Sequence, residues 1–162
     1  MISNQHFRVL KTIVFYLKDH PIHWAVTGSL GMALQGMSLD VHDIDLQTDR
    51  DGAFEIEHIL SRYVVNAVCF CESERIRSYL GMLEIDGIQV EIMGDIQKRL
   101  EDQTWEEPVK VDLHRQWVEV EGIQVPVLSL TYEYQAYLRM GRIEKAEMIK
   151  DWLQKKGSAL SG

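Results

Sequence analysis

A chain of 162 residues with 46% hydrophobic and 26% charged side chains is long enough for one full hydrophobic core and too apolar for whole-chain disorder. Its 25 acidic against 17 basic residues leave a formal net charge of −8. That balance argues against a nucleic-acid partner, because phosphate backbones are held by clustered Lys and Arg. No apolar run reaches the length of a membrane span, and the first residues lack the charged-then-apolar plan of a signal peptide. A cytoplasmic protein with no membrane partner is expected. Cys69 and Cys71, the only cysteines, would face the same way on an extended segment and have no companions at zinc spacing, so both are expected to stay reduced.

Phe7, Leu10, Ile13, Val14 and Leu17 recur at helical spacing and predict an amphipathic helix over 4–18, capped by Ser3 or Asn4 and ended at His20-Pro21. The short apolar run from His23 to Thr27 predicts a buried strand, punctuated by Gly28-Ser29 and followed by a brief helix from Leu30 to Gly36. A strand that gives way to a helix at a small-residue turn points backbone N–H groups outward, which makes a ready anion site. Asp43 to Gln47 alternate polar and apolar, the period of a strand, so Asp43 and Asp45 share one face with Ile44 and Leu46 behind them. A helix is predicted from Asp51 to Tyr63, with Asp49 or Asp51 as cap and Arg50, Asp51 and Gly52 as connector.

Strand signals dominate the middle of the chain. Val64 to Phe70 is apolar, and two hairpins are predicted, Arg77 to Met93 turning at Asp86-Gly87 and Trp117 to Leu128 turning at Glu121-Gly122. Between them, Asp95 to Asp102 is expected to form a short helix and Gln103 to Pro108 a loop. Ser129 to Lys155 reads as two helices meeting near Gly141-Arg142. No linker divides the chain, so a single α+β domain spanning 1–162 is expected, a mixed β-sheet flanked by helices with a C-terminal helical part at 129–155.

Asp43 and Asp45 are the strongest candidates for chemistry. Two carboxylates on one strand face repel each other unless a cation or hydrogen bonds compensate. Magnesium commonly binds through one or two carboxylates plus substrate phosphates. Alone, an Asp-x-Asp pair is a solvent-facing strand edge and a Gly-Ser is a turn. Their order and spacing, a Gly-Ser at a strand-to-helix junction and the acids about fifteen residues later on another strand, carry the inference.

With Gly28-Ser29, Asp43-Ile44-Asp45-Leu46 and a later hairpin strand bearing Glu91, the sequence resembles the nucleotidyltransferase superfamily. This is the minimal DNA polymerase beta-like fold that includes aminoglycoside and lincosamide nucleotidyltransferases. The resemblance implies transfer of a nucleoside monophosphate from a magnesium-bound nucleoside triphosphate, ATP first, to a hydroxyl acceptor. It assigns Asp43, Asp45 and Glu91 as catalytic and magnesium-binding residues and Gly28 and Ser29 as the phosphate turn. The segment Gly141-Arg142-Ile143-Glu144-Lys145 is similar to the G-R-x-K-D pattern of the antibiotic-modifying members, which would bring Arg142 and Lys145 to nucleotide phosphate. A small-molecule acceptor is expected, and an acidic protein suits a cationic one such as an aminoglycoside.

Glu91 lies between Val90 and Ile92, so a solvent-facing side chain accounts for the alternation equally well; Asp86 and Asp95 are the alternatives for the third acid. His42 is read as structural. Relatives often carry Arg and Thr four and two residues before the first metal-binding Asp, where this chain has Leu39 and Val41. A second reading therefore stands beside the first, a nucleotide-binding or protein-interaction module without catalysis.

Overall fold

In the computed structural model, which describes residues 2–157, seven strands form one mixed sheet with helices packed against both faces. Helix α1 (Asn4–Leu17) starts where the Ser3 hydroxyl accepts a hydrogen bond from the His6 N–H, and it buries Val9, Leu10, Ile13, Val14 and Leu17. Strand β1 (Ala25–Thr27) passes directly into α2 (Gly28–Leu34). The helix starts at Gly28 rather than Leu30 because Gly28, at φ 68°, turns the chain by itself.

Strand β2 (Ile44–Thr48) leads into α3 (Arg50–Ile59). Asp49 is the cap, its carboxylate accepting from the Gly52 N–H at 2.6 Å, so the residues expected as a connector form the first helical turn. The helix ends at Ile59, and Ser61–Tyr63 tightens into a single 3₁₀ turn.

Strands β3 (Val64–Glu72), β4 (Ile76–Ile85) and β5 (Ile88–Lys98) follow. The expected helix over Asp95 to Asp102 does not form. Strand β5 runs on to Lys98, pairing Gln97 with Arg77 and Lys98 with Ile76, and Ile92, Gly94, Ile96 and Lys98 keep the alternating burial of a strand. Asp95 takes φ 51° beside the register shift between Arg77 and Tyr79, so a local irregularity, not a helix start, accommodates the polar residues. A short helix α4 (Val111–His114), strands β6 (Arg115–Val120) and β7 (Ile123–Leu128), and helices α5 (Leu130–Arg139) and α6 (Ile143–Lys155) complete the fold. Both hairpin turns have positive φ at each central residue, 48° and 79° at Asp86-Gly87 and 47° and 82° at Glu121-Gly122, which is the backbone that two-residue hairpins require.

The strand order is β3-β4-β5-β2-β1-β7-β6, with β1 parallel to β7, β2 parallel to β5, and the other neighbours antiparallel. Alternation divides the side chains between two layers. Val26, Ile44, Leu46, Val90 and Ile92 join α1 and α3 in the main core, while Ala25 and Leu128 face Tyr132 and Ala136 of α5. Met32 and Met37 meet Tyr137, Ala146, Ile149 and Leu153, tying α2 to α5 and α6. Full burial of each large aliphatic side chain contributes about 1.5–3 kcal/mol, so both helical layers are firmly held and the polar residues of β1, β2 and β5 sit between fixed walls. Cys69 and Cys71 are exposed and free, with their sulfurs 3.6 Å apart. Among the described residues no helix is long and apolar enough to cross a membrane.

Candidate active site

The register across the central strands sets Thr27 of β1 opposite Asp45 of β2, and Asp45 beside Glu91 of β5. Residues in register share a face, so the three side chains form a row on the side of the sheet turned away from Ile44 and Leu46. Asp45 and Glu91 are both half-buried and hydrogen-bonded to each other. Burial, then the charges of Glu91 and Asp43, push the Asp45 carboxyl up to about 6, with Lys145 opposing the rise. Burial and Asp43 also raise Glu91, against the hydrogen bond from Asp45. Asp43 is exposed just before the strand begins.

Gly28 closes the row from the other side. A Cβ there would stand 2.5 Å from Asp45 Oδ2, and the residue sits at φ 68°. Glycine alone lets the β1–α2 turn approach that carboxylate. Ser29, half-buried, follows in the first turn of α2.

Glu133 of α5 supports the turn through contacts that sequence patterning did not expose. Only 4% exposed, it accepts hydrogen bonds from the Thr27 hydroxyl and from the Gly28 N–H, and so fixes the turn from beneath. Burial pushes its carboxyl up to about 7; the two hydrogen bonds and Lys98 pull it down, and Asp45 adds to the rise. The available signal was its place on the buried stripe Leu130, Glu133, Ala136 and Tyr137, where an acid needs partners. A carboxyl whose folded pKa lies above its unfolded value binds more protons in the folded state, so stability falls as pH rises from about 4.5 to about 7. Glu133→Gln is expected to flatten that slope, which thermal unfolding of both proteins across this window measures.

Tyr137 stands on the same helix face, its phenol pushed up to about 12 by burial, then by Glu133 and Asp45, with Arg142 opposing. The Arg142 guanidinium, just before α6, lies 5.2 Å and the Lys145 ammonium of its first turn 5.7 Å from its ring centre, so both cations converge on a ring beside the acids. The alternatives for the third acid lie elsewhere. Asp86 is in a hairpin turn, 3.4 Å from Arg8 on the surface. Asp95 is surrounded by Arg50, Asp49 and Asp51 at the start of α3. The His42 carbonyl accepts from His6 Nε2 at 2.8 Å while its own side chain is exposed. Val41 is buried in the main core, and half-buried Leu39 packs on the C-terminal helical cluster.

Among the described residues no three His, Cys, Asp or Glu side chains already converge as a metal cage. Asp45 and Glu91 engage each other instead, and Asp43 stands close enough to raise both. The donor set fits magnesium nonetheless: it is all oxygen, its charges repel, and this ion takes one or two carboxylates and completes its shell with water and phosphate oxygens.

The sequence profile of the aminoglycoside-2″-adenylyltransferase family matches residues 9–154. The chain belongs to this family. A crystal structure from Thermotoga maritima, of a protein provisionally assigned as a nucleotidyltransferase, is similar to it at 55% identity and TM-score 0.85, covering 96% of each chain. Two antibiotic-modifying proteins share the nucleotidyltransferase fold at 14% identity. ANT(2″)-Ia in complex with adenylyl-2″-tobramycin gives TM-score 0.57 over 90% of this chain and 88% of its own. The lincosamide antibiotic adenylyltransferase LnuA with lincomycin bound gives 0.55 over 92% and 97%. No protein of curated function matches. Family membership makes this chain a nucleotidyltransferase by descent, with a mixed α+β sheet as expected.

Proposed function

We propose that this protein transfers a nucleoside monophosphate from a magnesium-bound nucleoside triphosphate, ATP first, to a hydroxyl group of a small molecule. The supporting observation is the hydrogen-bonded Asp45–Glu91 pair set against the Gly28 turn. The two antibiotic-bound neighbours support an adenylyl donor and a small acceptor. The reading covers the chain as one domain, 1–162, of which 158–162 lie outside the described residues. Two exposed free thiols fit a reducing, cytoplasmic compartment.

Each group has a role in this reading. Asp43 and Asp45, with Glu91 as third ligand, would hold the metal, which neutralises phosphate charge and aligns attacking and leaving oxygens. The Gly28-Ser29 turn receives the phosphates, and Glu133 keeps that turn in position through Thr27 and the Gly28 N–H. Arg142 and Lys145 add positive charge against the phosphates. Glu91 takes the proton from the acceptor hydroxyl, whose oxygen attacks the α-phosphorus in line as the bond to pyrophosphate breaks.

The test is incubation with labelled ATP and magnesium over a panel of hydroxyl compounds, following pyrophosphate release and labelled product. Glu91→Gln is expected to slow transfer by about a hundredfold or more, the usual contribution of a general base, with little change in thermal stability. A variant at full rate would return Glu91 to the role of a solvent-facing strand residue.

A further inference from the structure

Strands β3 and β6 are the two edges of the sheet. The β6 edge carries Arg115 and Glu119, charges of the kind that keep strand edges from pairing with other chains. The β3 edge has no charge and no proline from Val64 to Cys71, and it exposes Val65 and Phe70. Glu57 accepts from the Val68 N–H, and the register is irregular before Cys69, so Cys69 to Glu72 is the regular stretch of that edge.

Cys69 and Cys71 both lie on this stretch. Phe70 between them turns toward α3, its ring centre 5.2 Å from that of Tyr79, which Phe54 also meets. The two thiols therefore face the other way, where they are exposed and in contact at 3.6 Å between sulfurs. Two thiolates on one tetrahedral zinc ion, with bonds of about 2.3 Å, stand about 3.8 Å apart. The pair is thus already spaced as one edge of a zinc tetrahedron, whereas a disulfide needs the sulfurs to close to about 2 Å.

One chain supplies only half of a structural zinc site, since among the described residues no third His, Cys, Asp or Glu joins the pair. Antiparallel pairing of two β3 edges about a two-fold axis at Phe70 supplies the other half. It sets each Cys69 opposite the partner's Cys71 on one face, with Cα atoms about 4.5–5.5 Å apart. Glu72 then stands opposite the partner's Val68, so no like charges meet. We propose that Cys69 and Cys71 of two copies of this chain bind one zinc ion as four thiolates and join the copies edge to edge. Each thiol gives its proton to solvent as its Zn–S bond forms, and nothing is oxidised or reduced. A ribbon of so few residues is small for a stable interface, so the dimer requires the metal. The site is two strands from Glu91 and independent of its chemistry.

The test titrates zinc into the reduced protein while sedimentation equilibrium follows its mass. Magnesium is kept in excess, because it fills oxygen sites and leaves thiolates to softer ions. One zinc per two chains and a doubling of mass are expected, both reversed by chelator. Cobalt(II) in place of zinc is expected to give the intense visible bands of a tetrahedral tetrathiolate. The double variant Cys69→Ser, Cys71→Ser changes two exposed side chains and should abolish the dimer and weaken zinc binding by about a hundredfold or more. Phe70→Lys keeps both thiols but sets two ammonium groups opposite each other across the two-fold axis, and should also leave the protein monomeric. Circular dichroism of both variants checks that the fold is retained.

Three outcomes overturn the proposal: no zinc binds, zinc binds to each chain without a doubling of mass, or a dimer survives the chelator or the loss of both thiols.

Discussion

Asp45→Asn is expected to reduce nucleotidyl transfer by on the order of a thousandfold, the scale lost when a charge that organises the transition state is removed. The same change should not harm the fold. Asp45 is half-buried, next to Glu91 and near Asp43, and its pKa is raised to about 6. Its ionisation therefore opposes folding: the penalty grows between about pH 4 and 6 and is fully present above. An isosteric amide escapes that penalty, so the variant should melt at the same or a higher temperature than the parent at about pH 8 while losing activity. Loss of activity with retained stability marks a residue kept for chemistry at the expense of stability. A fall in both would mean that Asp45 is a structural residue. Asp43→Asn is expected to lose transfer as well.

Gly28→Ala should be the most damaging single methyl addition at the site. An alanine in left-handed backbone costs about 1–2 kcal/mol. The added carbon would also stand 2.5 Å from Asp45 Oδ2, so either the turn or the carboxylate must move. Displacing a reacting geometry by about 1 Å lowers rates by about a hundredfold. The variant is expected to show both a lower melting temperature and a rate loss of that order, and to disturb the Glu133 contact with the Gly28 N–H. Gly122 is the control: it too has positive φ, but a Cβ there would meet nothing within 4 Å, so alanine should lower stability without touching activity.

Much of this architecture was legible because its signals are local. The Ser3 cap, the positive-φ turns at Asp86-Gly87 and Glu121-Gly122, and the period-two run around Asp45 each depend on a few neighbouring residues. The extension of β5 to Lys98 was not legible. Gly94 and Asp95 look like a break, and only pairing with β4, together with the buried alternation of Ile96 and Lys98, keeps the strand going. The same limit applies to the site. The two aspartates were visible as a pair, but the Asp45–Glu91 contact needs the parallel β2–β5 register, and Glu133 arrives from a helix more than a hundred residues after the turn it holds.

Leu39 and Val41 also become intelligible from tertiary structure. Val41 is a core residue and Leu39 fills the seam with the C-terminal helices, so polar side chains at those positions would sacrifice packing.

The acids beside the Gly28 turn are expected to hold a metal-bound triphosphate. Calorimetric titration of a non-hydrolysable ATP analogue, with magnesium and with chelator, into the parent protein and Asp45→Asn tests it most directly. Binding is expected to require magnesium and to weaken by about tenfold or more in the variant. Equal affinity with and without the metal, or in parent and variant alike, would contradict it.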